Sequence, residues 1–320
     1  MKTFVIDPGG RLGNQMIQLM VAKRLIADLP DFEIYGYDMP EWRLSRPLDN
    51  WQDGAPLLVS TTAPLGVVSF FCRLGLVNSV LLKAIPLDHR WFPAKEQVRA
   101  LFQPSAEDDV PGFDGDHIVI HIRGEDILHG KHPDYGPIPL EYYRSVLRET
   151  GLKPVFVGQI SYDYYSNLLR RTFPDATFVS PRSRIQDFQL IRNSKNIIVS
   201  MSSFCWIAAW LSDADRIYMP LIGGWNPSQR PDFNLTPLDD PRFVYDVFPV
   251  RHWRATAEQI AALEQDGDFR RVTSAEVGKL RDRQKWMLMR RWMRKTLQLT
   301  RYTLKHLVGR GTGRIWAFRR

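Results

Sequence analysis

Three stretches of the chain combine arginine, glycine, hydroxyl and carboxylate residues at spacings suited to phosphate chemistry. The first is His121-Ile-Arg123-Gly-Glu125-Asp126, which ends the apolar run His117-Ile-Val-Ile. In a strand, His121 and Arg123 point to the same side, and the planar fork of arginine fits a diphosphate. Glu125 and Asp126 have two uses open to them, as a base for a reacting hydroxyl or as partners that only hold Arg123. The second is Pro8-Gly-Gly-Arg11-Leu-Gly-Asn14-Gln15, a glycine-rich turn whose N–H groups can approach an anion. It lacks the spacing of a dinucleotide fingerprint or a P-loop, and a turn needing glycine only for its geometry explains it as well. The third runs from Asp187 to Leu211 through Ser202-Ser203-Phe204. Its two hydroxyls suit phosphate oxygens, and one of them is equally explained as a helix cap. Trp206 and Trp210, four apart, fit core packing better than a ligand platform.

These residues need elements to hold them. Lys2–Asp7 reads as a strand, and Leu12, Met16, Leu19, Ala22, Ile26 and Leu29 make one apolar stripe on a helix that Pro30 closes. Residues 31–112 show no readable order. Beyond them strands are expected at 117–122, 154–157, 176–179, 196–200 and 216–219, alternating with helices at 140–149, 162–171, 185–193 and 204–211. That alternation predicts an α/β fold with a parallel sheet covered by helices. Ligands of such sheets gather beyond the carboxyl ends of the strands, where all three stretches fall.

GGRLGNQM, HIRGED and DFQLIRNSKNIIVSMSSFCWIAAWL, in this order over about two-thirds of the chain, resemble the three signature regions of the alpha-1,2-fucosyltransferases and related GDP-fucosyltransferases. The resemblance implies a GT-B-like pair of Rossmann-type domains and an inverting, metal-independent transfer from GDP-fucose, with no cofactor beyond that donor substrate. It implies that Arg123 holds the β-phosphate and that His121 lies near the nucleoside. Asp187 would accept from guanine, Ser202, Ser203 and Phe204 would line the phosphates, and Arg11 and Asn14 would close over the diphosphate and sugar. Asp126 and Glu125 are the candidate bases; His129 and His132 read as loop residues. In that family glycine directly precedes the aspartate of the second motif, whereas here Gly124 stands one place earlier and Glu125 occupies the position. If that glycine carries a positive φ, Glu125 would be strained, so the loop is expected to run differently. Met201 and Ile207 also stand where Asn and Trp are usual.

Expected domains are 1–112, an acceptor-side Rossmann-like unit with the glycine loop; 113–250, the donor-binding unit; and 251–320, a basic helical extension. Charge divides the same way. Lys279–Arg320 carries 14 Lys/Arg against Asp282 alone, while the first 278 residues carry 29 basic and 34 acidic residues. A general nucleic-acid surface is therefore not implied; an appended basic segment is. Trp286, Met289, Met293 and Leu297 recur at helical spacing among its arginines, with Trp292 and Trp316 nearby, the pattern of an anionic membrane-surface helix or of a solvated helix packed on the body. The former suits a lipid-linked oligosaccharide acceptor, such as a surface-polysaccharide precursor. Pro64–Leu87 is apolar but interrupted by Arg73, Asn78 and Lys83, and reads as a buried or interfacial helix. Cys72 and Cys205 have no metal-ligand spacing, and no secretory pattern opens the chain. The expected location is cytoplasmic, with the tail offering peripheral attachment to a membrane. Two other classes remain open: a transferase of the same build using another nucleotide sugar, and a non-catalytic glycan- or membrane-binding relative.

Overall fold

The computed structural model describes residues 2–48, 57–59, 64–180 and 182–308, with 57–59 and 302–308 as backbone only. The chain divides into two compact units, Met1–Phe102 with Lys285–Arg320, and Gln103–Gln284.

The first unit opens with β1 (Lys2–Ile6), turns through Pro8–Arg11 and enters α1 (Leu12–Ile26). Met16, Ile17, Leu19, Met20, Val21 and Ala22 are all fully buried. The expected stripe is thus present, and the helix is buried almost all round rather than on one face. Next come β2 (Phe32–Tyr35), an antiparallel ribbon of β3 (Tyr37–Met39) and β4 (Leu44–Arg46), then β5 (Leu57–Val59), α2 (Leu65–Arg73), β6 (Ser79–Leu82) and α3 (Lys95–Leu101). Four strands form a parallel sheet in the order β2-β1-β6-β5. The order hidden in residues 31–112 is this one: strands of three or four residues are too short for alternation to register. Pro64–Leu87 is not one helix. It stops after α2, where Gly75 takes a left-handed φ of 68°, and resumes as β6. Among the described residues no helix is long and apolar enough to cross a membrane.

The second unit follows the predicted alternation: β7 (His117–Ile122), α4 (Leu140–Thr150), β8 (Lys153–Gly158), α5 (Tyr164–Thr172), β9 (Thr177–Phe178), α6 (Arg184–Asn193), β10 (Asn196–Ile198), α7 (Ser203–Leu211) and β11 (Arg216–Leu221). β12 (Phe243–Val247), α8 (Ala257–Ala262), β13 (Arg270–Val272) and α9 (Ser274–Arg283) complete it. The sheet runs β13-β12-β11-β10-β7-β8-β9, parallel throughout except for the antiparallel β13. Starting at β7, the chain builds outward through β8 and β9, then returns to lay β10 on the other side of β7. That reversal makes a topological switch point between β7 and β10, the place where doubly wound sheets open a crevice at their carboxyl ends. In the first sheet β1 has β2 on one side and β6 on the other, with β5, which precedes β6 in the chain, outside β6. Both units are thus α/β layers on largely parallel sheets, and the second has the doubly wound order.

Ile118, Ile120, Tyr142, Tyr143, Phe156 and Tyr165 fill one side of the large sheet. The helix starts read from local chemistry: Ser183 and Gln186 form a reciprocal cap on α6, Thr273 and Glu276 another on α9, and Asp163 caps α5. Trp206, fully buried, stacks on Trp210 with ring centroids 5.6 Å apart, so this pair is core.

The unit boundaries differ from those expected at 112 and 250. Residues 104–112 do not hang as a linker, because Asn193 Nδ2 donates to the Val110 carbonyl (2.8 Å) and a Cβ on Gly112 would collide with the Asn193 backbone. Nor is 251–320 wholly helical. β13 joins the sheet edge, where Arg271 Nε donates to the buried Asp246 (2.7 Å), which also accepts from Tyr142 Oη (3.1 Å). Only the last helix, α10 (Lys285–Val308), belongs with the first unit. Trp316 lies outside the described residues.

Candidate active site

β7 and β10 end side by side, with Arg123–Asp126 following the first and Ser200–Phe204 following the second. His121 is buried, and its Nδ1 lies 2.6 Å from Ser200 Oγ just past β10. Burial, with Arg123 nearby, pushes the imidazole down to about 3, so it stays neutral. In this unit it ties β7 to the segment after β10 across the switch point.

Two residues on, Arg123 lies half-buried at the crevice. Its Nη1 donates to the Met201 carbonyl (2.8 Å), its Nη2 to Asp126 Oδ2 (2.9 Å), and the guanidinium lies 5.4 Å from the centre of the Tyr135 ring. Met201 immediately precedes Ser202, the N-cap of α7. A guanidinium is thus fixed beside the N-terminus of a nine-residue helix, whose N–H groups already carry partial positive charge. Two positive ends brought together disfavour each other, and Asp126 offsets only part of this. An anion in the crevice would complete the balance. The cap itself is loose: Cys205 N to Ser202 Oγ is 3.5 Å, at the limit of a hydrogen bond. Phe204 is half-buried and packs edge-on against Phe188 of α6, with ring centroids 5.3 Å apart. Asp187, the neighbour of Phe188, is half-buried, and desolvation raises its carboxyl pKa to about 6 against the pull of Arg182. Beside Arg123 a recess of about 10 Å³, room for about one water molecule, is walled by Ile138, Tyr143, Tyr165, Ser200 and Met201, and is too small to be a ligand site by itself.

The loop after Arg123 corrects one expectation. Glu125 does carry the positive φ, at 49°, while Gly124 has φ −117°. The glycine sits one place early for a different reason: its N–H donates to Gln159 Oε1 (3.1 Å), and a Cβ there would lie 2.8 Å from the Gln159 carbonyl. Glu125 is exposed at the start of a short 3-10 turn running to His129.

Arg11 and Asn14 belong to the first unit, at the carboxyl end of β1, and no side chain caps α1 there. Gly10 has φ 70°, and a Cβ on it would meet Asn14 Nδ2 at 2.3 Å, so the asparagine folds over a position that requires glycine. Gln18 holds this turn. Fully buried, it accepts from Gly9 N (3.0 Å) and donates to the carbonyls of Asp7 (2.9 Å) and Ala84 (3.0 Å).

Gln18, Gly158 and Gln159 lie outside the three motifs, and Ser200 lies within the third without being one of its candidate residues, although each positions a motif residue. Gln18 had one hint, a polar side chain amid the apolar residues of α1. Gly158, at φ 108°, leaves room for His121: a Cβ would lie 3.0 Å from its Nε2 and 2.6 Å from the Ile122 carbonyl.

Among the described residues, no group of three or more His, Cys, Asp and Glu is placed to hold a metal ion. Asp114 of one Asp-x-Asp pair is within 2.6 Å of His117, and both carboxylates of another, Asp266 and Asp268, bind Arg251.

No protein-family model matches the chain, and no curated protein matches it in sequence. Solved structures that are similar in shape include an Arabidopsis thaliana FUT1 mutant in complex with GDP. It has 14% identity and a TM-score of 0.47, over 84% of this chain and 74% of that one. NodZ alpha-1,6-fucosyltransferase soaked with GDP-fucose has 14% identity and a TM-score of 0.40, over 68% of this chain and 94% of that one. E. coli heptosyltransferase WaaC with ADP has 11% identity and a TM-score of 0.41, over 88% and 99%. At these identities and TM-scores, none of the three assigns an activity to this chain.

Proposed function

We propose that the chain is a glycosyltransferase that takes fucose from GDP-fucose and passes it, with inversion, to a hydroxyl of a glycan acceptor. The observation that carries this reading is Arg123, held by the Met201 carbonyl and Asp126 at the N-terminus of α7, on the switch point of a parallel sheet. The order and wording of the three motifs around it supply the nucleotide and the sugar.

In the proposed reaction the acceptor oxygen attacks the anomeric carbon as the bond from that carbon to the β-phosphate oxygen breaks. The electron pair leaves with GDP. Arg123 and the α7 N–H groups stabilise the growing charge, a preorganised arrangement of the kind that dominates such catalysis. They supply the positive charge that a divalent ion supplies in metal-dependent transferases. Asp187 accepts from guanine. The acceptor proton passes to a carboxylate of the 125–126 loop. Asp126, which is engaged by Arg123, and the more exposed Glu125 are both candidates for the base.

Arg123→Ala tests the centrepiece. Turnover in a GDP-release assay should fall about 10²–10³-fold, as for removal of one transition-state donor. The melting temperature should stay close to the parent, since the side chain is partly exposed. Near-normal turnover would sink the assignment. The substitution of Glu125 for the glycine of the resembled enzymes favours one second reading, a different sugar on the nucleotide. A donor panel separates the two: release of GDP from GDP-fucose alone supports the first, and from another GDP-sugar alone the second. Thermal stabilisation by UDP and not GDP would overturn both.

A further inference from the structure

Most of the large apolar side chains that the described residues leave in solvent lie on one helix, α10. Trp286, Met289, Met293 and Leu297 follow one another at spacings of 3, 4 and 4, and are 70%, 41%, 56% and 53% exposed. Arg290 and Arg294 each follow a stripe methionine by one residue, so they edge the stripe, and both are exposed. Trp292 and Met287, each about half exposed, widen it on either side. The helix has a separate inward line. Leu299 is buried, and Leu288, Lys295 and Thr296 are half-buried. Leu288, Lys295 and Leu299 lie two residues on from Trp286, Met293 and Leu297, about 200° around the helix. Packing of α10 therefore covers this inward line and leaves the Trp286–Leu297 stripe facing water.

We propose that this outer face of α10 docks on an anionic lipid surface, lying parallel to it with the Trp286–Leu297 stripe in the headgroup boundary. Charge complementarity selects the occupant. Residues 285–320 hold 11 Lys/Arg and no Asp or Glu, whereas residues 1–278 are net negative. The body is thus repelled by the surface that attracts the helix, which orients the molecule with α10 inward. Two tryptophans among the exposed residues suit the interface, where their rings sit at headgroup depth. Basic residues edging an apolar stripe on a helix too polar to span is the pattern of an in-plane helix. A nucleic acid would engage the arginines and leave the Trp, Met and Leu stripe unused. A second copy of α10 would bring like charges together.

The test is co-sedimentation of the full chain with vesicles of phosphatidylcholine alone and of phosphatidylcholine containing about one-third phosphatidylserine. The parent should pellet with the anionic vesicles and remain largely in solution with the neutral ones. Trp286→Ser with Met293→Ser and Leu297→Ser should abolish pelleting and leave the melting temperature and the oligomeric state unchanged, since all three side chains are more than half exposed. Arg290→Ser with Arg294→Ser should lower the affinity by about fivefold per charge removed. Failure of the parent to pellet would overturn the proposal. So would equal binding to neutral vesicles, or retention of full binding by the triple variant. Tight binding of a DNA duplex, unaffected by the triple variant, would reassign the face to nucleic acid. A parent dimer that the triple variant dissociates would reassign it to self-association. None of these readouts depends on transfer activity, so they stand apart from the proposed reaction.

Discussion

Glu125 and Asp187 are each held in a form that an isolated residue would avoid. Left-handed backbone costs a non-glycine residue about 1 kcal/mol, and Glu125 sits there two residues after Arg123 and directly before Asp126, the partner of its guanidinium. Glu125→Gly should remove the cost. The looser unfolded chain takes back about 0.5–1 kcal/mol of this, so urea unfolding should report a net gain of no more than about 0.5 kcal/mol. A loss instead would mean that contacts of the glutamate side chain outweigh its backbone strain. Asp187 has the opposite character, with an unremarkable backbone and a carboxyl whose pKa is raised by burial to about 6. Its contribution to stability is present below the ordinary carboxylate range and is lost as pH rises through about 6. Donor binding should show the converse. If guanine N–H groups donate to the ionised carboxylate, GDP affinity climbs between pH 5 and pH 7 and levels off above. Calorimetric titration should show that slope in the parent and not in Asp187→Asn. A parent affinity flat over this range would remove Asp187 from the guanine site.

At the scale of elements, the join of β7, β8 and β10 decides whether the motif residues meet. His121 bridges to Ser200, Arg123 reaches the Met201 carbonyl, and Gln159 secures Gly124. Gly158 makes this possible, because at φ 108° it ends β8 without a side chain in the space of the imidazole. Gly158→Ala should therefore act twice, through backbone strain and through displacement of His121. The expected cost is about 2–4 kcal/mol in chemical denaturation. Transfer activity should fall even where the variant is folded, since His121 stands on β7 two residues before Arg123. A folded variant with parent stability and activity would show that the end of β8 or the His121–Ile122 end of β7 accommodates the methyl group by moving.

For the whole molecule, the separation of a net-negative body from a basic terminal segment makes two functions respond differently to salt. Charge on the exposed α10 is screened over about 10 Å at 0.1 M ionic strength and over about 3 Å at 1 M. Arg123, half-buried in the second unit, is screened much less. Raising the salt should release the protein from anionic vesicles while the thermal shift caused by GDP stays largely intact. Parallel loss of both would indicate that the two signals share one electrostatic origin.

Elements with a hydrophobic period of their own are legible in the residue pattern alone. Strands such as His117–Ile122 and helices such as Leu140–Thr150 carry that period and their terminal residues, so local sequence is enough to place them within a residue or two. The motifs are visible for the same reason, since Arg123 and Ser202 stand at strand and helix ends whose chemistry is local. Other features depend on partners distant in sequence. The three-residue strands β3, β4, β5 and β13 exist because neighbours complete their hydrogen bonds. Ser200 matters only once β10 lies against β7, and Gln159 only once β8 does. The helical period of α10 and its arginines can be read from the sequence. That its Trp286–Leu297 stripe faces water while Leu288 and Leu299 turn inward is settled by packing, because periodicity marks a face and only tertiary contact decides what covers it.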